Sequence, residues 1–437
     1  MNRFIYSLLF YLATPLIILR LLLRSLRSPA YLKRWSERFA RYFPSSGFKK
    51  ADIIFHAVSV GEVHAAVPLI SRLLDNNPEL SVLVTTSTPT GSARVMALLK
   101  DKVAHVYLPY DLPGAIKRFL NIFNPGLVVI METELWPNLI HACSQRGVRL
   151  LLANARLSEK SLHNYQRIPH LVRTMLGQLD RVTAQSSNDR ERLLSLGLAE
   201  EKITVAGSMK YDMAINTEQV ARALGDKISL QGRPVLIAAS TRILAGEKEE
   251  EKVLQAFRIL LGSHPDLLLI LVPRHPERFD QVFELVTRQG FSCARRSRES
   301  VADASHQVLL GDTMGEMQYY FSLADVAFVG GSLVPTGCQN IIEPAALGLP
   351  VITGPSLFNF QAVSEQLLQA GGMMCVADAQ ELAEAVKALL AGEEKAAAMK
   401  SAALAVVEKN QGASDRNLNE ISELLLLQAL KKAARHQ

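Results

Sequence analysis

Residues 53–66 read IIFHAVSVGEVHAA. An apolar, β-branched run stops at a glycine and continues with helical spacing, the strand-turn-helix step of a doubly wound α/β domain. In a dinucleotide-binding turn the helix start after such a strand cradles phosphate, and a carboxylate placed there repels it. The first residue after the glycine is Glu62. Either Glu62 caps the helix, or the phosphate lies elsewhere and the acid faces a different group.

Outward from this step the pattern repeats. IIFHAVS, LSVLVTTST, VAHVYLP, LVVIMETE, VRLLLANA, RVTAQS and ITVAGS read as strands, separated by helical segments such as VHAAVPLISRLLDNN and GAIKRFLNIFN. The polar stretch MKYDMAINTEQVARALGDKISLQGR interrupts the alternation and reads as an interdomain connection. The alternation restarts with PVLIAAST, LLLILVP, QVLLGD, VAFVGGS and PVITGP. A chain of 437 residues is too long for one ordinary domain, and this order gives two Rossmann-like domains. The expected divisions are 1–50 as a membrane anchor and basic juxtamembrane segment, 51–210 as the N-terminal Rossmann-like domain, 211–232 as the linker, and 233–437 as the C-terminal Rossmann-like domain with its C-terminal helices.

A hydrophobic content of 49% allows substantial cores, and a net charge of +6 suits anionic partners. Cys143, Cys293, Cys338 and Cys375 lie far apart without CxxC spacing, which argues for reduced thiols and against a disulfide frame or zinc site. FIYSLLFYLATPLIIL, residues 4–19, carries no charge. As a helix it reaches about 24 Å, short of a hydrocarbon core of roughly 30 Å. If Arg20 snorkels, the run extends to Leu23 and a signal-anchor helix becomes possible, while Pro15 leaves a monotopic insertion open. Arg20, Arg24, Arg27, Lys33, Arg34, Arg38 and Arg41 follow against one acid, Glu37, and such a flank stays cytoplasmic. A basic cluster after the apolar run, with no small-residue cleavage site, argues against a cleaved signal peptide. A buried amphipathic helix is the alternative.

Rossmann-like domains in tandem hold ligands at the carboxyl ends of their strands, across the cleft between them. There the first half presents Glu62, Glu132 and Glu134 from METELWPN, and Lys210 from GSMK. The second presents Ser240, Thr241, Arg274 and His275, then GDTMGE (311–316) and GGSLVPTGCQNIIEPAALGLPVITGP (330–355). The division suggests a nucleotide phosphate in the C-terminal domain and an acid-base centre in the N-terminal one. Each feature also has a plainer reading. Glu62 can serve only the helix dipole, worth about 0.3–1 kcal/mol. Which of Glu132 and Glu134 turns inward stays open, PRHPERF can be a helix entry with solvated charges, and most lone lysines like Lys210 are solvated. His275 has no second ligand at metal spacing. No Asp pair occurs at i, i+2, so the metal-chelating aspartates of single-domain sugar-nucleotide transferases are absent.

HAVSVGE, METELWPN, GSMKYD, LVPRHPERF, GDTMGE, FVGGS and NIIEPAALGLPVITGP together resemble the 3-deoxy-D-manno-octulosonic acid (Kdo) transferases over nearly the whole chain. The resemblance implies a GT-B glycosyltransferase that moves Kdo from CMP-Kdo to a lipid A precursor of the lipid IVA type, with inversion, without metal or cofactor and without nucleic acid. It implies attachment by the N-terminal helix to the cytoplasmic face of the inner membrane, beside anionic lipids. By the same resemblance Glu62 matches the general base, and Glu132 and Lys210 match residues assisting the transition state. The CMP contacts correspond to Pro273, Arg274, Met314, Gly315, Glu316, Asn340, Ile341, Ile342 and Glu343. Two departures stand out: STRILAGEKEE has Arg242 and a longer loop where the family has Ser-Thr-His then Gly-Glu-Glu, and Cys338-Gln339 replaces Gly-His. Two other readings compete. A sugar-nucleotide epimerase shares the architecture but has no need of the apolar, basic N-terminus, and a non-catalytic glycolipid-binding membrane protein would not need the acids.

Overall fold

The structure is a computed structural model and describes residues 1–42, 50–212, 215–230, 232–298 and 302–434. Contacts divide the chain into Met1–Met213 with Gln411–Gln437, and Ala214–Asn410.

The first unit is built on seven strands, β1 (Ile53–His56), β2 (Val82–Thr86), β3 (Ala104–Tyr107), β4 (Leu127–Met131), β5 (Arg149–Ala155), β6 (Arg181–Ala184) and β7 (Ile203–Val205). They pair in parallel in the order β3-β2-β1-β4-β5-β6-β7. Alternation splits the strand residues between two cores. Ile54, Val128 and Ile130 meet Phe119 and Phe123 on one side, while Ile53, Phe55 and Val129 meet Leu69 and Ile70 on the other. Chain direction along the sheet reverses between β1 and β4, which are neighbours. The turns that follow them therefore open side by side at a topological switch point.

The N-terminal segment is part of this unit, so the expected boundary at residue 51 is too late. One face of the helix Arg3–Arg27 packs on the core through Tyr6 and Phe10, and Arg3 Nη1 and Ser7 Oγ each donate to Asn138 Oδ1 at 3.0 Å. The opposite row, Phe4, Leu8, Leu12, Leu16, Leu19, Leu23 and Leu26, is exposed. Two of the seven cations read as juxtamembrane are built into the fold. Arg34 forks onto Glu37 at 2.7 and 2.9 Å, and the buried Arg38 guanidinium lies 4.5 Å from the Tyr107 ring centroid. Residues 43–49 of the expected anchor segment lie outside the described residues.

The last helix, Ala413–Ala433, also belongs to the first unit and not to the C-terminal domain in which the sequence reading put it. Its Ile421 and Leu424 fill the core beside Leu69 and Ile70.

The second unit has β8 (Val235–Thr241), a short hairpin of β9 (Ile243–Leu244) and β10 (Glu247–Lys248), then β11 (Leu268–Pro273), β12 (Cys293–Arg295), β13 (Val308–Leu310), β14 (Val326–Val329), β15 (Val351–Thr353) and β16 (Met373–Cys375). Its seven-stranded sheet runs β12-β13-β11-β8-β14-β15-β16, all parallel. The expected linker contains a helix, Thr217–Ser229, that belongs to this unit. Asp226 accepts from the Tyr319 hydroxyl at 2.7 Å, and Arg222 stacks 4.4 Å from the Tyr319 ring centroid. Residues 213–214 and 231 of that linker lie outside the described residues.

Candidate active site

Glu62 sits in the first turn of the helix Val60–Asn76, directly after β1. Ser59 caps that helix by accepting from Glu62 N, and the Glu62 carboxylate accepts in return from Val58 N and Ser59 Oγ, both at 2.8 Å. The plain reading of Glu62 as a cap thus holds. The same carboxyl is buried, and burial pushes it up to about 7, with the Val58 amide lowering it and the negative charges of Glu132 and Glu134 raising it further. A carboxylate has about four acceptor sites, so two hydrogen bonds leave room for a proton.

Glu132 and Glu134 follow β4, the neighbour of β1. Glu132 takes a left-handed backbone, φ 54°, while its N–H donates to the Ala153 carbonyl at 2.9 Å. Both acids are half-buried; burial raises Glu134, and Glu132 adds to that rise. Both carboxylates act on the charge of Glu62, and the Trp136 side chain lowers Glu134. Lys210 comes from the far edge of the sheet, after β7, yet its Nζ lies 3.8 Å from Glu132 Oε1. It gets there because the chain doubles back across the strand ends. Ala206 N donates to the Ala184 carbonyl after β6, and Met209 N donates to Asn154 Oδ1 at the end of β5. Glu62, Glu132, Glu134 and Lys210 therefore gather at one edge.

In the second unit the expected donor residues end β11 or follow β11, β13 and β14 at the carboxyl edge. Pro273 is buried and Arg274 is exposed, with Arg274 N donating to the Thr241 carbonyl at 3.0 Å. Met314 is exposed, and Gly315 has φ 85°. The Gly315 carbonyl accepts from Gln219, and Glu316 accepts from Arg222 and Arg296, which anchors this turn to the helix Thr217–Ser229. Asn340 Oδ1 accepts from Ile342 N at 3.0 Å, opening the five-residue helix Ile342–Ala346. Ile341 and Ile342 are fully buried, so only their backbone can meet a ligand, while Glu343 is half-buried. His275 is 3.5 Å from Arg242 Nη2.

Two acids that the sequence reading passed over hold these loops together. Glu249 is fully buried and accepts from the N–H groups of Arg242, Gly331, Ser332 and Leu333 at 2.6–3.0 Å. Glu250 accepts from Thr241 Oγ1 at 2.6 Å and from both terminal nitrogens of the buried Arg278 at 2.9 and 2.8 Å. Arg278 is thus no solvated charge of PRHPERF. Their signal was the pair of acids opening a helix after a strand end. Gly330 is required here, since a Cβ would lie 2.7 Å from Thr241 Cα. Of the two departures, the longer loop is the β9–β10 hairpin, and Cys338 turns into the core while Gln339 Nε2 donates to the Gly337 carbonyl.

Residues 33–213 match the family described as 3-deoxy-D-manno-octulosonic-acid transferase (kdotransferase). A 3-deoxy-D-manno-octulosonic acid transferase of Haemophilus influenzae is 42% identical over 428 residues, covering 97% of this chain and 99% of the relative. One of Bordetella pertussis is 37% identical over 439 residues, covering 97% and 100%. The solved structure of a UDP-GlcNAc 2-epimerase from Neisseria meningitidis bound to UDP-GlcNAc has a TM-score of 0.57 at 15% identity, covering 86% of this chain and 99% of its own. That likeness concerns the fold alone, the two parallel sheets of the GT-B class. Sequence identity over nearly the whole length, not shared architecture, decides the chemistry class: the chain belongs to the 3-deoxy-D-manno-octulosonic acid transferases, a family of glycosyltransferases.

Proposed function

We propose that this enzyme transfers Kdo from CMP-Kdo to a lipid A precursor of the lipid IVA type, with inversion and without a bound metal, using Glu62 as general base. The observation that carries the reading is the Glu62 carboxyl, pushed up to about 7 and set beside Glu132, Glu134 and Lys210 at the switch point of the first sheet. An acid poised near neutrality can take the proton of an acceptor hydroxyl as its oxygen attacks the anomeric carbon. The bond from that carbon to the CMP phosphate breaks, and CMP leaves with the electron pair. Arg274, exposed at the end of β11, is suited to the leaving phosphate, and the 314–316 turn and residues 340–343 to the rest of CMP. Lys210 beside Glu132 supplies positive charge where the transition state separates charge.

The N-terminal helix attaches the enzyme to the cytoplasmic face of the inner membrane. A mean hydropathy of 1.9 within Arg3–Leu26 supports this, as do the exposed apolar row and the exposed cations Arg20, Arg24, Lys33 and Arg41 facing anionic lipid. Tyr6, Phe10, Leu21 and Ser25 pack inward along the length of the helix, which favours a helix lying in the interface over one that crosses it.

The test is to incubate full-length protein with CMP-Kdo, a lipid A precursor and a chelator, then weigh the glycolipid. A product heavier by one or more Kdo residues is expected. Unchanged glycolipid with isomerised donor, or with intact donor, overturns the reading.

A further inference from the structure

Beside the segment that carries Lys210 stands Asn154. It is fully buried near the end of β5, at φ 54°, where the register with β6 slips between Leu152 and Ala155. Asparagine tolerates this left-handed backbone better than most residues, and its carboxamide can bridge backbone segments. Asn154 N donates to Thr183 Oγ1 at 3.0 Å, its carbonyl accepts from Gln185 Nε2 at 2.9 Å, and its Oδ1 accepts from Met209 N at 3.1 Å. That last bond holds the N–H of the residue before Lys210. The preceding residue, Ala153, accepts from Glu132 N. Residues 153 and 154 thereby fix the backbones of both members of the Glu132–Lys210 pair.

The last helix braces the other side of the same segment. The Thr183 hydroxyl that accepts from Asn154 N donates to Asn417 Oδ1 at 2.6 Å. Asp212, two residues after Lys210, accepts from Gly412 N at 2.7 Å and Ser414 N at 2.5 Å, and Arg416 Nε donates to the Ala206 carbonyl at 2.7 Å. Residues 206–212 are thus clamped between the end of β5 and the start of the final helix.

We infer that Asn154 is a positioning residue for Kdo transfer, setting Lys210 against Glu132 through Met209, with the last helix as its brace. The inference rests on the proposed roles of Lys210 and Glu132. Its test is a cycle of Asn154→Gly, Lys210→Ala and the double variant in full-length enzyme, with kcat, KM for CMP-Kdo and thermal unfolding measured together. Glycine keeps the left-handed backbone without strain, so the cycle isolates the carboxamide. Asn154→Gly is expected to lower kcat by about 10-fold or more with KM nearly unchanged, and to add no further loss once Lys210 is gone. Losses that multiply in the double variant, or wild-type kcat in Asn154→Gly, overturn the inference. Wild-type kcat in Lys210→Ala instead overturns the reading beneath it. Should Asn154→Gly unfold, Thr183→Val takes its place in the cycle and Thr183→Ser is expected to restore kcat. Equal losses in those two variants overturn the inference.

Discussion

Glu62 and Glu316 stand at matching places, each at the start of a helix after a parallel strand, one in each unit. Their surroundings drive them apart. Around Glu62 there are two neutral donors and two like charges, and burial takes the carboxyl up to about 7. Burial also acts on Glu316 in the raising direction, but the Thr313 hydroxyl and the Arg296 and Arg222 guanidiniums outweigh it and hold the acid at about 2. Glu250 likewise meets a guanidinium fork. Position in a Rossmann-like fold therefore does not assign an acid its duty; the donors and charges around it do. The first unit keeps an acid that can exchange a proton near neutral pH, and the second uses its acids to lock loops.

The harshest way to break this contrast is to strip a locking acid of its partner. Arg278→Met should leave Glu250 buried and unpaired and destabilise the second unit by about 3–5 kcal/mol, read as a lower urea midpoint. Little change would mean that the pair does no locking. Glu62→Gln should do the reverse, lowering turnover by about 100-fold or more while CMP affinity holds. Its stability effect has a sign. A carboxyl raised from 4.5 to about 7 favours the folded state while protonated, and that advantage is lost as pH rises through this window. Glu62→Gln should therefore be more stable than the wild type by about 1–2 kcal/mol at pH 8 and gain nothing at pH 5, as denaturant titrations at both values can check.

Arg274→Ala tests whether the second unit holds an anion with a cation left outside its locks. CMP affinity should fall by about 10- to 150-fold in calorimetry, with lysine rescuing only part of it. Glu132→Gln is the finest probe. The acid limb of kcat/KM should have its midpoint near the Glu62 value of about 7, and removing a like charge should move that midpoint to lower pH whatever happens to the maximum rate. A fixed midpoint would assign the limb to another group.

Much of this was legible in the sequence because long β-branched runs mark central parallel strands, and strand ends mark where polar groups collect. IIFH and LVVIM are such runs, and Glu62 and Glu132 follow from them. The strands CAR (293–295) and MMC (373–375) escaped notice because three residues carry no period. Thr217–Ser229 looked like a linker because its sequence is polar, although its Ala223 is fully buried. Asn154 left no signal because it acts on a backbone amide far away in sequence, while Glu249 and Glu250 showed only as acids opening a helix, their partners Gly331, Ser332, Leu333 and Arg278 lying far along the chain. The docking of the first and last helices into one unit was equally out of reach, since nothing in either helix names its partner.

That docking makes the second unit an insertion within the first, and synthesis must follow the same order. Residues 1–213 leave the ribosome early, but the Thr183 hydroxyl, the Ala206 carbonyl and the Asp212 carboxylate wait for residues 411–417. At about 5–20 residues per second, the intervening unit imposes a delay of roughly 10–40 s. Throughout it, the apolar surface that Ile421 and Leu424 will cover stays bare, and the segment that carries Lys210 is held from one side only. A premature stop in the second half of the gene would therefore disable the first half.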